Sequence, residues 1–197
     1  MFDLNKDDRE EKLEKDGFER LHARFLKTRT LLLSGNIDKE QAENFIKQLL
    51  LLEADGDDPI RVFIDSPGGD ADAGYALFDM LRFVKPKVIT IGMGTVASAA
   101  ALVHLAADKE NRVSLPNAHF LIHQPLSGMR GVATDIEIHA NELEKLREKI
   151  NTLIAEETGQ EVEKVSRDTD RDYWLSAEEA LAYGLISRII SSRSELD

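Results

Sequence analysis

The stretch IRVFIDSPGGDADAGYALFDMLRFVKPKVITIGMGTVASAAALVHLAA, residues 60–107, contains one pattern twice. In each half, a short apolar run rich in β-branched residues is followed by a glycine-containing turn and then by a segment with helical character. Strands that alternate with helices pair in parallel through helical crossovers. This stretch therefore predicts an α/β fold built on a parallel sheet.

The rest of the chain extends this pattern. Residues 1–17 are mostly charged and predict an N-terminal arm, whereas residues 18–197 predict a single domain. The expected elements of that domain are a strand at 30–35, a helix after the capping residue Asp38, two short strands around Pro116, a long amphipathic helix from about 134 to 158, and two short helices before the C-terminus.

Composition and charge exclude several classes of protein. The net charge of −12 argues against a nucleic-acid partner, which needs a basic surface. The longest apolar run, residues 96–107, is about half of the ~20 residues that a membrane span needs. There is no cysteine, and the first residues lack a signal-peptide pattern, so we expect a cytoplasmic protein without membrane association.

Ser98 is the first candidate for chemistry. It lies at a strand-to-helix junction, where a hydroxyl can be exposed beside free backbone amides. However, the spacing of the G-x-S-x-G nucleophile motif is absent, and the helix is rich in alanine. On this segment alone, a serine that only packs in a tight helix is favoured over a nucleophile.

The other candidates stay open at this level. Consecutive glycines in Ser66-Pro67-Gly68-Gly69 let a backbone approach a ligand, but a plain turn has the same sequence. His119 and His123 share one face of a strand, so periodicity does not choose a base between them. The acid is equally undetermined, because one polar loop contains three aspartates: Asp168, Asp170 and Asp172.

Four segments taken together resemble the proteolytic subunit of the Clp protease, ClpP. They are FIDSPGGDADAGYALFDML, GTVASAA, HFLIHQPLSGMRGVATDIEIHANEL and RDTDRDYWLSAEEALAYGLI, and the likeness covers about residues 18–190. The resemblance implies a crotonase-like α/β spiral with a protruding handle at about 124–160. It also implies that Ser98 is the nucleophile, His123 the base and Asp172 a buried orienting acid. Gly69 and Ala99 would supply the oxyanion-hole amides.

The resemblance further implies an assembly and its partners. We expect two heptameric rings enclosing a chamber, formed either by this chain alone or with a paralogue. Asp170 and Arg171 match the family's ion pair between rings. An AAA+ ATPase would feed unfolded polypeptide through axial pores gated by the N-terminal segments. The chain itself would need no cofactor and no metal.

Two alternatives remain beside a serine peptidase. The chain could be a non-catalytic subunit of a mixed ring, although it retains all three residue types of the triad. It could also be an acyl-CoA enzyme on the crotonase fold, a class that shares the glycine oxyanion loop but uses carboxylates instead of a serine and histidine pair.

Overall fold

The computed structural model describes Leu21 and residues 23–196, and the charged arm expected at residues 1–17 lies outside them. The strands are β1 (Thr30–Ile37), β2 (Ile60–Gly69), β3 (Val88–Ala97), β4 (Arg112–Ser114), β5 (His119–Ile122), β6 (Tyr173–Ser176) and β7 (Arg188–Ile189). The helices are α1 (Lys39–Ala54), α2 (Ala71–Phe83), α3 (Ala99–His104), α4 (Ala133–Thr158), α5 (Val162–Asp168) and α6 (Ala177–Tyr183).

The strands form one sheet in the order β1-β2-β3-β4-β7, and every neighbouring pair in this order is parallel. The sheet branches at β3. The first part of β3 pairs with β4, whereas Thr95–Ala97 pairs in parallel with β5. Strand β6 then adds to β5 in the antiparallel direction. The α/β class with a parallel sheet is therefore confirmed.

The glycine turns expected after the second and third strands are instead part of β2 and β3. Ser66 pairs with Val96, and Gly68 pairs with Asn36, each after a local shift of the register. Because the neighbouring strands continue past the shift, pairing extends to the end of the glycine-rich segment. Both long strands thus carry glycine-rich backbone up to the N-terminus of the next helix.

The core lies between the sheet and the helices α1, α2 and α3. Helix α3 is buried at every position, since its alanines let it pack closely against the sheet and against α2. A Cβ built on Gly74 of α2 would lie 3.0 Å from the Cβ of Ala99, which shows how closely these two helices approach. This contact fixes the N-terminus of α3, the end that carries Ser98.

Helix α4 has two parts with different surroundings. Its C-terminal part contributes Ile150, Ile154 and Ala155 to the core, whereas every residue from 126 to 138 is exposed. The helix ends at Gly159, which has the left-handed conformation typical of a helix C-cap. Among the helices that the structure describes, none has the length and apolar content needed to cross a membrane.

Candidate active site

Ser98 lies between the end of β3 and the start of α3, as the N-cap residue of that helix. Its backbone has φ 57° and ψ −124°, a conformation that an L-residue rarely adopts. The Ser98 amide donates a hydrogen bond of 2.9 Å to the carbonyl of Leu121, which holds the turn against β5. Strained backbone of this kind is typical of a residue whose side chain must be presented at a site.

His123 reaches Ser98 because β3 and β5 are parallel neighbours. Ala97 pairs with Leu121, so the residues just beyond both strands emerge at the same edge of the sheet. The Nε2 atom of His123 lies 2.8 Å from Oγ of Ser98, which is within hydrogen-bond distance. The structure thus brings these two candidates together, whereas His119 contacts the hydroxyl of Thr95 instead, at 3.0 Å.

Asp172 is placed by the antiparallel pairing of β6 with β5. Ile122 pairs with Tyr173, which sets Asp172 opposite His123. Oδ1 of Asp172 lies 3.0 Å from Nδ1 of His123. The expectation of a buried carboxylate is wrong for this single chain, because the Asp172 side chain is 63% exposed whereas that of His123 is 15% exposed. The reason is that Asp172 precedes β6, an edge strand that, within the described chain, pairs only with β5.

A second set of hydrogen bonds joins the two loops that carry His123 and Asp172. The amide of Gln124 donates to the carbonyl of Thr169, and its side-chain nitrogen donates to the carbonyl of Asp170, both at 2.6 Å. The hydroxyl of buried Thr169 donates to the side chain of Asn151 on α4, at 2.7 Å. Gln124 and Asn151 were not singled out from the sequence, where only the position of Gln124 beside His123 could have indicated these hydrogen bonds.

Gly69 and Ala99, the expected oxyanion residues, both line the cavity that contains Ser98. Ala99 is the first residue of α3, where a backbone N–H has no acceptor within the helix. A side chain at Gly68 would meet Ala97 O at 2.6 Å and the Cβ of Ser98 at 2.7 Å. A side chain at Gly69 would collide with the backbone of Ile37. Glycine is therefore required at 68 so that β2 can approach the Ser98 turn, and at 69 so that β2 can approach the end of β1.

Asp170 and Arg171, the expected inter-ring pair, are both exposed. Within the chain, Asp170 accepts a charged hydrogen bond of 3.2 Å from Arg147 on α4. Arg171 donates to the backbone carbonyl of Asp170 at 3.2 Å. The role of this pair between rings stays a prediction.

The cavity beside Ser98 has a volume of about 320 Å³ and lies between the N-termini of α2 and α3 and the side of α4. Its walls are mainly apolar and include Leu102, Leu143, Leu146, Ile150 and Ile154. The lining also includes the polar residues Ser127, His139 and Glu142. Such a cavity accommodates an apolar chain segment next to the serine hydroxyl. In the part of the chain that is described, no group of three or more His, Asp or Glu residues is arranged to hold a metal ion.

Comparison with known proteins decides the family. Residues 14–193 match the model of the Clp protease family. The chain belongs to the Clp protease family. The ATP-dependent Clp protease proteolytic subunit 2 of Treponema denticola is 56% identical over 194 residues, which cover 98% of this chain and 97% of that protein. The subunit of the same name from Treponema pallidum is 62% identical over 174 residues, covering 88% and 87%.

A solved structure agrees with this family assignment. A variant of ClpP1 from Listeria monocytogenes is 50% identical to this Clp protease chain and superposes with a TM-score of 0.85, covering 90% of this chain and 99% of that one. The expected ClpP fold and the expected function as a serine-type Clp proteolytic subunit are therefore confirmed. Membership of the family implies an oligomeric ring that works with a Clp ATPase.

Proposed function

We propose that Ser98, His123 and Asp172 form the catalytic triad of this peptidase. The observation that supports it is the continuous hydrogen-bonded chain from Ser98 Oγ to His123 Nε2, at 2.8 Å, and from His123 Nδ1 to Asp172 Oδ1, at 3.0 Å. A triad is recognised by such geometry and by the role of each group, whatever their order along the chain.

The reaction follows from this geometry. Ser98 Oγ attacks the carbonyl carbon of the scissile peptide bond, and its proton passes to Nε2 of His123. Asp172 accepts the Nδ1–H of His123, which fixes the tautomer and stabilises the imidazolium. The amides of Gly69 and Ala99 receive the negative charge on the carbonyl oxygen. His123 then protonates the leaving amine, and water hydrolyses the acyl-enzyme by the reverse proton path.

We also propose the assembly expected from the family: two heptameric rings, alone or mixed with a paralogue, with unfolded polypeptide supplied by an AAA+ ATPase in the cytoplasm. The exposed apolar side chains at the start of α4 support a docking role for that helix, since Val132, Ile136 and Ile138 are 65%, 45% and 58% exposed. Asp170 and Arg171 would then lie at the contact between rings, beside Asp172.

A fluorophosphonate probe tests the proposed roles, because it forms a stable adduct only with an activated hydroxyl. Peptide mass spectrometry should locate the adduct on Ser98, and His123→Ala should abolish it. The matched control is His119→Ala, since His119 also contacts a hydroxyl, that of Thr95 at 3.0 Å. An assembled sample without an adduct on Ser98 favours the non-catalytic subunit instead.

A further inference from the structure

The hydroxyl of Ser66 joins β1 to β2 directly before the two glycines that end β2. Ser66 is fully buried, at 0% exposure. Its Oγ donates a hydrogen bond of 2.6 Å to the carbonyl of Gly35 on β1 and accepts one of 3.0 Å from the amide of Gly68. Gly68 is buried, so its amide would be costly to leave without an acceptor.

This hydroxyl lies where the pairing of β1 with β2 is irregular. The register shifts between Ser34 and Asn36 of β1, and β2 has one more residue than β1 across the shift. Such a bulge locally disrupts the backbone ladder. Pro67 lies within the shift and has no N–H to donate. The hydroxyl of Ser66 therefore does the work of a ladder hydrogen bond at a point where the backbone alone does not continue the pairing.

The backbone after Ser66 depends on such hydrogen bonds for its orientation. Gly68 has φ 91° and Gly69 has φ 152°, and glycine has no Cβ that would restrict its rotation. Pairing with β1 resumes at Gly68, the residue whose amide Ser66 holds. Beyond Gly69, the amide of Asp70 donates to the carbonyl of Ile37 at 2.8 Å. The bond to Ser66 thus sets the orientation in which the two glycines enter the ladder.

Gly68 also packs directly against the turn that carries the nucleophile. A Cβ built on Gly68 would lie 2.7 Å from the Cβ of Ser98 and 2.9 Å from the backbone nitrogen of Ala99. Gly69, the next residue, lines the cavity beside Ser98, whereas Ser66 does not. Loss of the Ser66 hydroxyl would therefore shift the Gly69 amide relative to Ser98 without removing a group that lines the cavity.

We infer that Ser66 is a positioning residue, whose hydroxyl aims the amide of Gly69 at the oxyanion that forms during peptide hydrolysis. This inference rests on the proposed function, since it takes Gly69 as a donor to that oxygen. The negative charge develops only as the transition state forms. A misdirected amide therefore lowers kcat, while binding of the intact peptide changes little.

The direct test is steady-state hydrolysis of a fluorogenic peptide by the assembled protein. Ser66→Ala should lower kcat by about 10- to 100-fold, with KM within about twofold. Ser66→Cys keeps a weak donor and acceptor and should lose less of kcat. Ser114→Ala is the matched control and should change neither constant. Ser114 is equally buried and also donates to a carbonyl, that of Leu115 at 2.9 Å, but it does not line the cavity.

Inhibition by a peptide aldehyde gives a second readout, which a merely structural role would not move. The hydroxyl of Ser98 adds across the aldehyde C=O to form a hemiacetal, whose oxygen lies where the oxyanion forms. In Ser66→Ala, the Ki of the aldehyde should rise by about the same factor by which kcat/KM falls. The Ki of the corresponding peptide alcohol, which forms no adduct, should stay within about twofold.

Three results would overturn the inference: a wild-type kcat in Ser66→Ala, a KM that rises as much as kcat falls, or an equal weakening of the aldehyde and the alcohol. A Ser66→Ala chain that does not assemble assigns the hydroxyl to the fold as a whole and overturns it too. Failure of the proposed function looks different. A wild-type chain that hydrolyses no peptide and binds the aldehyde no more tightly than the alcohol contradicts the triad, and with it the role of Ser66.

Discussion

The side-chain nitrogen of Gln124 donates a hydrogen bond of 2.6 Å to the backbone carbonyl of Asp170, two residues before Asp172. Gln124 directly follows His123, so this bond ties the strand end that carries the base to the loop that carries the acid. The side chain of Asp172 is largely exposed and receives little support from burial. The distance between His123 and Asp172 therefore depends on this pair of loops.

We expect Gln124→Met, which keeps the length of the side chain but not the donor, to lower kcat for peptide hydrolysis by about 10-fold. The reason is that small displacements of catalytic groups are costly when geometry supplies much of the rate. Gln48→Met on α1 is the control, since Gln48 is a glutamine whose side chain donates only within its own helix. Equal kcat for wild type and Gln124→Met would show that the Asp172 loop is held without this bond.

Asp172→Asn tests the acid itself. An amide at this position can donate to Nδ1 of His123 and so stabilise the wrong tautomer of the imidazole, with Nε2 protonated and unable to accept the serine proton. The expected result is a loss of kcat on the order of 10⁴-fold with the fold intact. Asp168→Asn is the control, because that carboxylate instead accepts from Lys164 and Tyr183. If Asp172→Asn kept nearly full activity, Asp172 would not be the acid of the triad.

Local sequence patterns predicted some elements of the fold and missed others. The strands at residues 60–64 and 88–91, the Asp38 cap and the long helix were predictable because local periodicity and capping determine them. Strands β6 and β7 were missed, since they are short and form only where β5 and β4 offer an edge. Patterning alone also left open the choice between His119 and His123, and among the three aspartates. Those choices depend on how the strands pair: Ala97 of β3 with Leu121 of β5, and Ile122 of β5 with Tyr173 of β6. These pairs join residues that are far apart in the sequence, so local patterns do not determine them.

Buried His104 makes the free energy of unfolding depend on pH. It lies in the core, edge-on to Phe120, and neither ring nitrogen has a hydrogen-bond partner in the described structure. Burial, with a smaller contribution from the charge of Arg112, lowers the pKa of His104 to about 3. Below the unfolded pKa of about 6.5, the unfolded chain binds a proton that the native state does not, so stability falls as pH decreases toward 3.

We therefore expect the free energy of unfolding to be lower at pH 5 than at pH 7, with about 2 kcal/mol of the difference due to His104. His104→Leu should remove the part of the difference between pH 5 and pH 7 that is due to His104. It should also raise the free energy of unfolding at pH 7, because an apolar side chain leaves no unpartnered nitrogen in the core. Denaturant unfolding at both pH values measures this, with His119→Gln as the exposed control. An identical pH dependence in wild type and His104→Leu would contradict the assignment.

A buried ion pair holds the C-terminal end of α4. Arg112 on β4 has a side chain that is 2% exposed, and it bonds the carboxylate of Glu157, which also pairs with Arg82 at 2.5 Å. Burial lowers the pKa of Arg112, and the hydrogen bond to Glu157 opposes that shift. Glu157→Ala leaves the buried guanidinium without its paired carboxylate and should cost about 3–5 kcal/mol of stability.

Thermal unfolding measures that cost. Glu156→Ala is the matched control, because Glu156 is the preceding glutamate on α4 and is exposed; it should shift stability by less than about 0.5 kcal/mol. Similar stability losses in the two variants would mean that the Arg112–Glu157 pair does not anchor the helix.

The most direct test of the proposed mechanism is the rate of peptide hydrolysis by Ser98→Ala, measured on a fully assembled sample beside the wild type. Removing the Ser98 hydroxyl should lower kcat by a factor on the order of 10⁶, or to background. Hydrolysis that continues at a rate near that of the wild type would contradict a mechanism in which Ser98 attacks the peptide bond.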